Sequence, residues 1–276
     1  MAVFSGPGFS FPLGEKTYIM GIVNITPDSF SDGGSFLDPR AACDYALRLE
    51  EQGADIIDLG AESTRPGHQG VSCQEELARL EPVLTRLRGR LGVPVSVDTS
   101  KPEVAQAALA LGAAIINDVN GFLAPGMAEA AARHGAAAVI MHPGEPAYPH
   151  GVVRHVRKFL LAAAQAAQHA GIAKESICLD PGFGFGKDYE QNLELLADMA
   201  AARLHGYAWL AGLSRKSFIG TATGCELPSD RLAGTIAADT FAALAGADIL
   251  RVHDVAQAVQ AAKMTDAITA ACRKMQ

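Results

Sequence analysis

Eight short apolar runs, each followed by a turn and then a stretch of helical period, predict a closed (β/α)8 barrel in a single α/β domain. Two further observations support that fold. The units repeat through about 230 residues with no linker or composition shift between them. A polar residue also stands at nearly every run's C-terminal end, and those ends share one mouth in such a barrel.

The elements follow in order. The runs read TYIMGIVN, ADIIDLGA, VPVSVDT, AAIINDV, AAAVIMH, SICLDPG, YAWLAGLS and DILRVH, ending near residues 24, 60, 98, 117, 142, 180, 214 and 253. Their β-branched content and length suit buried parallel strands. After the first run, Asp38-Pro39 opens a helix over 39–52 that stops at Gly53, and 74–89 follows the second. Ser100-Lys101-Pro102 opens 101–111, closed by Gly112, and Pro125 precedes 126–134, closed by Gly135. The segments 152–170, 190–205 and 230–245 end at Gly171, Gly206 and Gly246, and 254–271 is the last helix. A doubly wound open sheet is the alternative arrangement of the same units. Residues 1–16 form an N-terminal lead, a candidate hairpin under the barrel, and 17–276 form the barrel domain.

Composition narrows the function classes. The chain has 276 residues, 49% of them apolar, enough for a large core. Five scattered cysteines, with no Cys-x-x-Cys pair, point to reduced thiols in the cytoplasm rather than a disulfide frame or zinc site. The N-terminus lacks the basic and long apolar regions of a signal peptide, so none is expected. No apolar run reaches the roughly 18 residues of a spanning helix. A net charge of −7 makes nucleic acid and anionic membranes poor partners, so an anionic ligand needs locally placed cations.

Such cations stand in two places. Arg65 follows the second run, and Arg215, Lys216 and Arg251 come from the last two, where barrels commonly bind phosphate. Arg251 and His253 are two apart on a strand and face one side. Asn24, Asp58 with Glu62, Asp98, Asn117, His142, Asp180 and Ser214 complete the rim. Asp98, Asn117 and Asp180 together match the 2-amino-4-oxo edge of a flat heterocycle, since a carboxylate accepts paired N–H bonds and an amide both donates and accepts. Oxygen ligands for Mg²⁺ are the alternative use of the carboxylates. The loop TPDSFSDGG, with Asp28, Ser29 and Asp32, is polar and glycine-rich enough to serve as a lid.

The stretch LDPGFGFGK mimics a phosphate loop without being one. Pro181 stands where a Walker loop needs its first glycine, Asp188 where it needs a hydroxyl, and Lys187 where a Rossmann turn needs its third glycine.

With these segments in order, the sequence resembles the dihydropteroate synthase family from about residue 18 to 255. The resemblance rests on MGIVNITPDSFSDGG, DIIDLGAESTRPG, VSVDTSKPEV, IINDVNG, LDPGFGFGK, GLSRKSFIG and LRVHDV. It implies a transferase that joins 6-hydroxymethyl-7,8-dihydropterin diphosphate to p-aminobenzoate with Mg²⁺, is the target of sulfonamides, and works as a cytoplasmic homodimer. By the same resemblance Asp98, Asn117, Asp180 and Lys216 hold the pterin, with Met141 and Phe185 on its faces. Asn24, Thr64, Arg65, Arg251 and His253 hold the diphosphate, Asn24 beside the metal. Phe30, Pro66 and Ser217 line the p-aminobenzoate pocket. Arg65, Asp98, Lys216, Arg251 and His253 stand nearest the chemistry, and Lys187 lies outside it. The segment MHPGEPAYPH is shorter than in many members, and Asn120-Gly121 departs from many of them. A corrinoid methyltransferase on the same barrel has no use for the STRPG, SRKSF and RVH segments. A non-catalytic pterin-binding relative is distinguished by whether diphosphate is released.

Overall fold

A computed structural model describes residues 2–26, 38–63 and 70–275. The chain begins with an antiparallel hairpin, β1 (Val3–Gly6) and β2 (Phe9–Pro12). The barrel strands are β3 (Tyr18–Asn24), β4 (Ile56–Gly60), β5 (Val95–Asp98), β6 (Ile115–Asp118), β7 (Ala137–Met141), β8 (Ile177–Asp180), β9 (Ala208–Ala211) and β10 (Ile249–Val252). They pair in parallel in chain order, and β10 returns to β3 to close the barrel. The helices are α1 (Pro39–Glu51), α2 (Cys73–Leu87), α3 (Pro102–Ala110), α4 (Met127–Arg133), α5 (Val152–His169), α6 (Tyr189–Ala197), α7 (Met199–Ala202), α8 (Ser217–Thr223), α9 (Leu232–Leu244) and α10 (Val255–Lys274).

Side-chain alternation along the strands makes two cores. Tyr18, Met20, Ile56, Ile115, Ala137, Val139, Cys178, Ala208, Leu210 and Ile249 point inward and fill the lower barrel. Residues of opposite parity, such as Ile57, Leu59, Leu179 and Trp209, pack against the helices. The hairpin seals the N-terminal end of the barrel. Its Phe4 is fully buried among the inward residues, and Phe11 stacks on Tyr18 at 4.5 Å between ring centres. With that end plugged, the charged residues of the interior stand in its upper layer among the described residues.

Side-chain caps explain three of the helix starts. Asp38 and Ser72 cap α1 and α2 by accepting from Arg40 N (2.9 Å) and Glu75 N (3.1 Å). Asp188 and Gln191 form a reciprocal capping box on α6. The expected Ser100 cap is absent. Lys101 is the residue before Pro102, and its ammonium is drawn instead to Glu62 and to the buried Glu76, 2.6 Å away.

Two expected boundaries move. The helix expected over 190–205 is two, broken at Asp198, which leaves helical geometry at φ −113°, ψ 29°. The seventh barrel strand ends at Ala211 rather than near 214, and a separate short helix, α8, follows before α9. A left-handed Arg215 (φ 59°) makes the intervening turn.

Candidate active site

Parity decides which rim residues enter the mouth. Asp58, Asp98, Asn117, Asp180 and Arg251 share the inward phase of their strands, and the register places Asn24 beside Gly60, Gly60 beside Asp98 and Asp98 beside Asn117. His142 and Asp118 have the outward phase. His142 packs edge-on against Phe159 of α5, 5.0 Å between ring centres, and burial pushes its imidazole down to about 3. Asp118 accepts the backbone N–H groups of Asn120 and Phe122, both at 2.8 Å, closing its own turn. The expectation that His142 belongs to the rim is therefore corrected. One residue of phase turns it out of the barrel.

Arg251 is the hub of the mouth. Its Nε donates to Asp58 Oδ2 and its Nη2 to Asp98 Oδ2, both at 2.7 Å, so one guanidinium bridges strands on opposite sides of the chain's closure. Asn117 Nδ2 also donates to Asp58 Oδ2, at 3.3 Å. Asp58 is fully buried and its Oδ1 has no partner among the described residues. Two carboxylates hold Arg251 firmly in the charged form. Asp98 is pushed up to about 7, chiefly by burial, with Asp58, Asp118 and Glu76 adding to the shift and Arg251 opposing it. Sequence reasoning placed Asp58 at a strand end without giving it a role. It is the buried anchor of both Arg251 and Asn117.

The glycine loop after β8 builds the opposite wall. Asp180 is buried; its Oδ1 accepts Gly182 N at 2.7 Å. Its Oδ2 faces Gly212, where a Cβ would lie 3.9 Å away, so the missing side chain leaves room beside the carboxylate. Met141 pairs in register with Asp180 and is itself buried. Lys216 runs across Gly184, where a Cβ would stand 2.8 Å from its Cδ, and its Nζ sits 4.1 Å from the centre of the Phe185 ring. Burial pushes the Lys216 ammonium down to about 8, Arg251 adds to the shift, and Asp180 and Asp98 oppose it. The wall thus presents a carboxylate, an ammonium and an aromatic face around one gap.

The remaining expectations separate cleanly. His253 is held at the rim by Ser214, Nδ1 to Oγ 2.9 Å, and Ser217 is exposed at the start of α8. Asn24 ends β3, partly buried. Phe30, Thr64, Arg65 and Pro66, with the lid residues Asp28, Ser29 and Asp32, lie outside the described residues. Arg215 does not join the cations of the mouth. Its left-handed backbone turns it toward Asp254, which it grips through two bonds of 3.0 and 2.7 Å. Among the described residues no cluster of three His, Cys, Asp or Glu side chains could enclose a metal.

Comparison with known proteins gives the same arrangement a family. Residues 20–253 match the family of pterin binding enzymes. A dihydropteroate synthase of Clostridium beijerinckii is 43% identical over 260 residues, 94% of this chain and 96% of that protein. The solved dihydropteroate synthase of Xanthomonas albilineans with 4-aminobenzoic acid is 47% identical, with a TM-score of 0.93 over 98% of this chain and 99% of that one. A further structure from that organism, in complex with 7,8-dihydropteroate, is 45% identical at a TM-score of 0.90 and covers 97% of this chain and 99% of that one. Identity of this order along nearly the whole of both chains carries more than a shared barrel: the chain belongs to the pterin-binding enzyme family, among its dihydropteroate synthases, which are transferases.

Proposed function

We propose that the mouth holds the ring of 6-hydroxymethyl-7,8-dihydropterin diphosphate against the β8 wall and joins it to p-aminobenzoate, with release of diphosphate. The observation that carries this reading is the gap at Gly212. It leaves Oδ2 of Asp180, which has no hydrogen-bond partner among the described residues, facing room for at least a methyl group, and the Lys216 ammonium acts on the same carboxyl. Asp180 there accepts from the pterin's amino edge, Asn117 both donates and accepts, and Lys216 donates to the ring's acceptor edge. Met141 and Phe185 pack on its faces. Asp98, paired with Arg251, holds the far side of the ring.

Arg251 and His253, with Asn24, Thr64 and Arg65, take the diphosphate, and Phe30, Pro66 and Ser217 line the arylamine's approach. Arg251 serves this role while anchored by Asp58 and Asp98, so its guanidinium is oriented before the anion arrives. The amine nitrogen forms a bond to the exocyclic carbon as the carbon–oxygen bond to diphosphate breaks. The electron pair leaves with diphosphate, and the nitrogen sheds its extra proton to solvent. An arylamine is already neutral at pH 7, so the residues' work is positioning and stabilisation of the leaving anion.

Mg²⁺ fits the donor set, because it keeps several waters and takes few protein ligands beside substrate phosphates. Asn24 is the residue that would hold it, and the bound ion's charge would ease departure of the diphosphate. Among the described residues no helix is long and apolar enough to cross a membrane, and with free cysteines this favours the cytoplasm. A second copy of the chain is the partner this reading expects. Phe241 and Leu244 on α9 and Met264 and Ile268 on the neighbouring α10 are exposed apolar side chains suited to such a contact.

The test is turnover. Purified protein is mixed with the dihydropterin diphosphate, p-aminobenzoate and Mg²⁺, and dihydropteroate is sought by mass. Product and diphosphate in equal amounts support the reading; tight pterin binding without product rejects the transfer chemistry.

A further inference from the structure

Lys187 closes the LDPGFGFGK stretch, and its side chain turns back under the loop rather than toward the mouth. Its Nζ donates to Gly182 O at 2.8 Å and Phe185 O at 3.0 Å, and lies 3.2 Å from His142 Nδ1. An ammonium has three N–H donors, and here three acceptors converge on it. Gly144 N also points to His142 Nδ1, at 3.1 Å, so that nitrogen is the bare, accepting one and the ring is neutral. Burial pushes the Lys187 ammonium down to about 7, with Lys216 adding and Asp180 opposing.

The loop after β7 is docked on the same structure. Tyr148 Oη donates to Gly186 O at 3.1 Å and accepts from Glu145 N at 3.0 Å. Gly144 and Gly186 meet back to back. A Cβ on Gly144 would stand 2.6 Å from Phe185 O, and both residues have positive φ, 96° and 55°. Only glycine permits that approach at both positions. His142, Phe159, Tyr148 and His155 pack edge to face behind the junction.

The two carbonyls that Lys187 grips flank the groups that form the pocket wall. Gly182 donates its N–H to Asp180, and Phe185 carries the ring under the Lys216 ammonium. We propose that Lys187 is the positioning residue of the pterin pocket, a clasp that sets the height of Phe185 and the orientation of Asp180 and locks the β7 loop onto the β8 loop. This rests on the reading of the mouth as a pterin site. The residue touches no substrate. It acts through the loop, and arginine cannot replace it, because a planar guanidinium does not meet three converging acceptors as an ammonium does.

The experiment is Lys187→Met in the full chain, which keeps length and removes every donor. Calorimetry measures affinity for a pterin lacking the diphosphate, thermal melting measures the fold, and steady-state kinetics separate KM for the pterin substrate from kcat. The expected result is an intact melt, pterin affinity weaker by on the order of ten- to a hundredfold as misplacement of a positioned group costs, and a matching rise in KM. Lys187→Arg is expected not to restore it. A folded Lys187→Met protein with unchanged pterin affinity overturns the proposal. If that variant does not fold, Tyr148→Phe cuts the β7 loop's ties through Gly186 O and Glu145 N and leaves Lys187 in place, and unchanged affinity there overturns it equally. Asp180→Asn runs alongside. If it keeps full pterin affinity, the pterin reading has failed, whereas loss there with none at Lys187 refutes the clasp alone.

Discussion

Replacing Arg251 with alanine should damage the fold before it damages the chemistry. The guanidinium is the counter-charge of two carboxylates at 2.7 Å, one of them, Asp58, fully buried. Its removal leaves Asp58 with Asn117 Nδ2, 3.3 Å away, as the one remaining donor among the described residues. Breaking a buried pair by removing one partner costs about 3–5 kcal/mol, because the other charge stays buried and uncompensated. In a domain of this size that lowers the melting temperature by roughly 5–9 °C. Differential scanning calorimetry of Arg251→Ala, and of Arg251→Met combined with Asp58→Asn, is the assay. The double variant removes charge from both sides and should recover most of the loss. A single variant that melts with the parent would show that the network stabilises nothing, and that Arg251 is held for the ligand alone. The consequence for activity measurements is direct: Arg251→Ala is a clean probe of diphosphate binding only below its own lowered melting range.

Two further outcomes are expected. In Gly212→Ala the new methyl would sit 3.9 Å from both Asp180 Oδ2 and Leu210 Cδ2, an ordinary contact, so the melt should not move. Pterin affinity should fall about five- to a hundredfold, the equivalent of ~1–3 kcal/mol of overpacking against the ligand; unchanged affinity would mean that the ring does not lie against that wall. Asp239 in α9 is buried with neither carboxylate oxygen partnered among the described residues, and burial, with Asp254 adding, pushes it up to about 8. A raised carboxyl stabilises the fold fully below its ordinary 3.8, and that contribution is lost as pH rises and is gone above about 8. Asp239→Asn should therefore gain on the parent as pH climbs from about 5 to 8.5, by a few kcal/mol at the top. Parallel melting-temperature curves for the two proteins would refute a neutral Asp239.

The barrel was legible because its signals are local. Each strand is a short apolar run, each helix carries its own period and cap, and eight repeats of that unit admit few closures. The placement of Asp98, Asn117 and Asp180 at inward strand ends was legible for a related reason: a charge at the end of an apolar run is costly to bury without a partner. Side-chain phase was harder. His142 ends its run as naturally as Asp180 ends its own, yet Met141, one residue earlier, holds the inward place and His142 goes to α5. In SRK, residues 214–216, three adjacent polar residues stood at one strand end until a left-handed backbone at Arg215 sent it to Asp254 and left Lys216 over Phe185.

From the sequence alone came the kind of molecule: an α/β barrel with an amide-, carboxylate- and arginine-lined mouth, and the family that shares its motifs. Those are properties of residue order, readable wherever a short window carries the whole physical signal. Partnership was decided by the tertiary structure. Asp58 and Arg251 are 193 residues apart and Lys187 and His142 are 45 apart, and nothing in either neighbourhood marks them as partners. Closure of β10 onto β3 sets Arg251 between Asp58 and Asp98, and the docking of two glycine-bearing loops sets Lys187 beneath the pocket wall. Burial then makes those pairings strong, because a charge removed from water is held by whatever partner the fold has placed beside it.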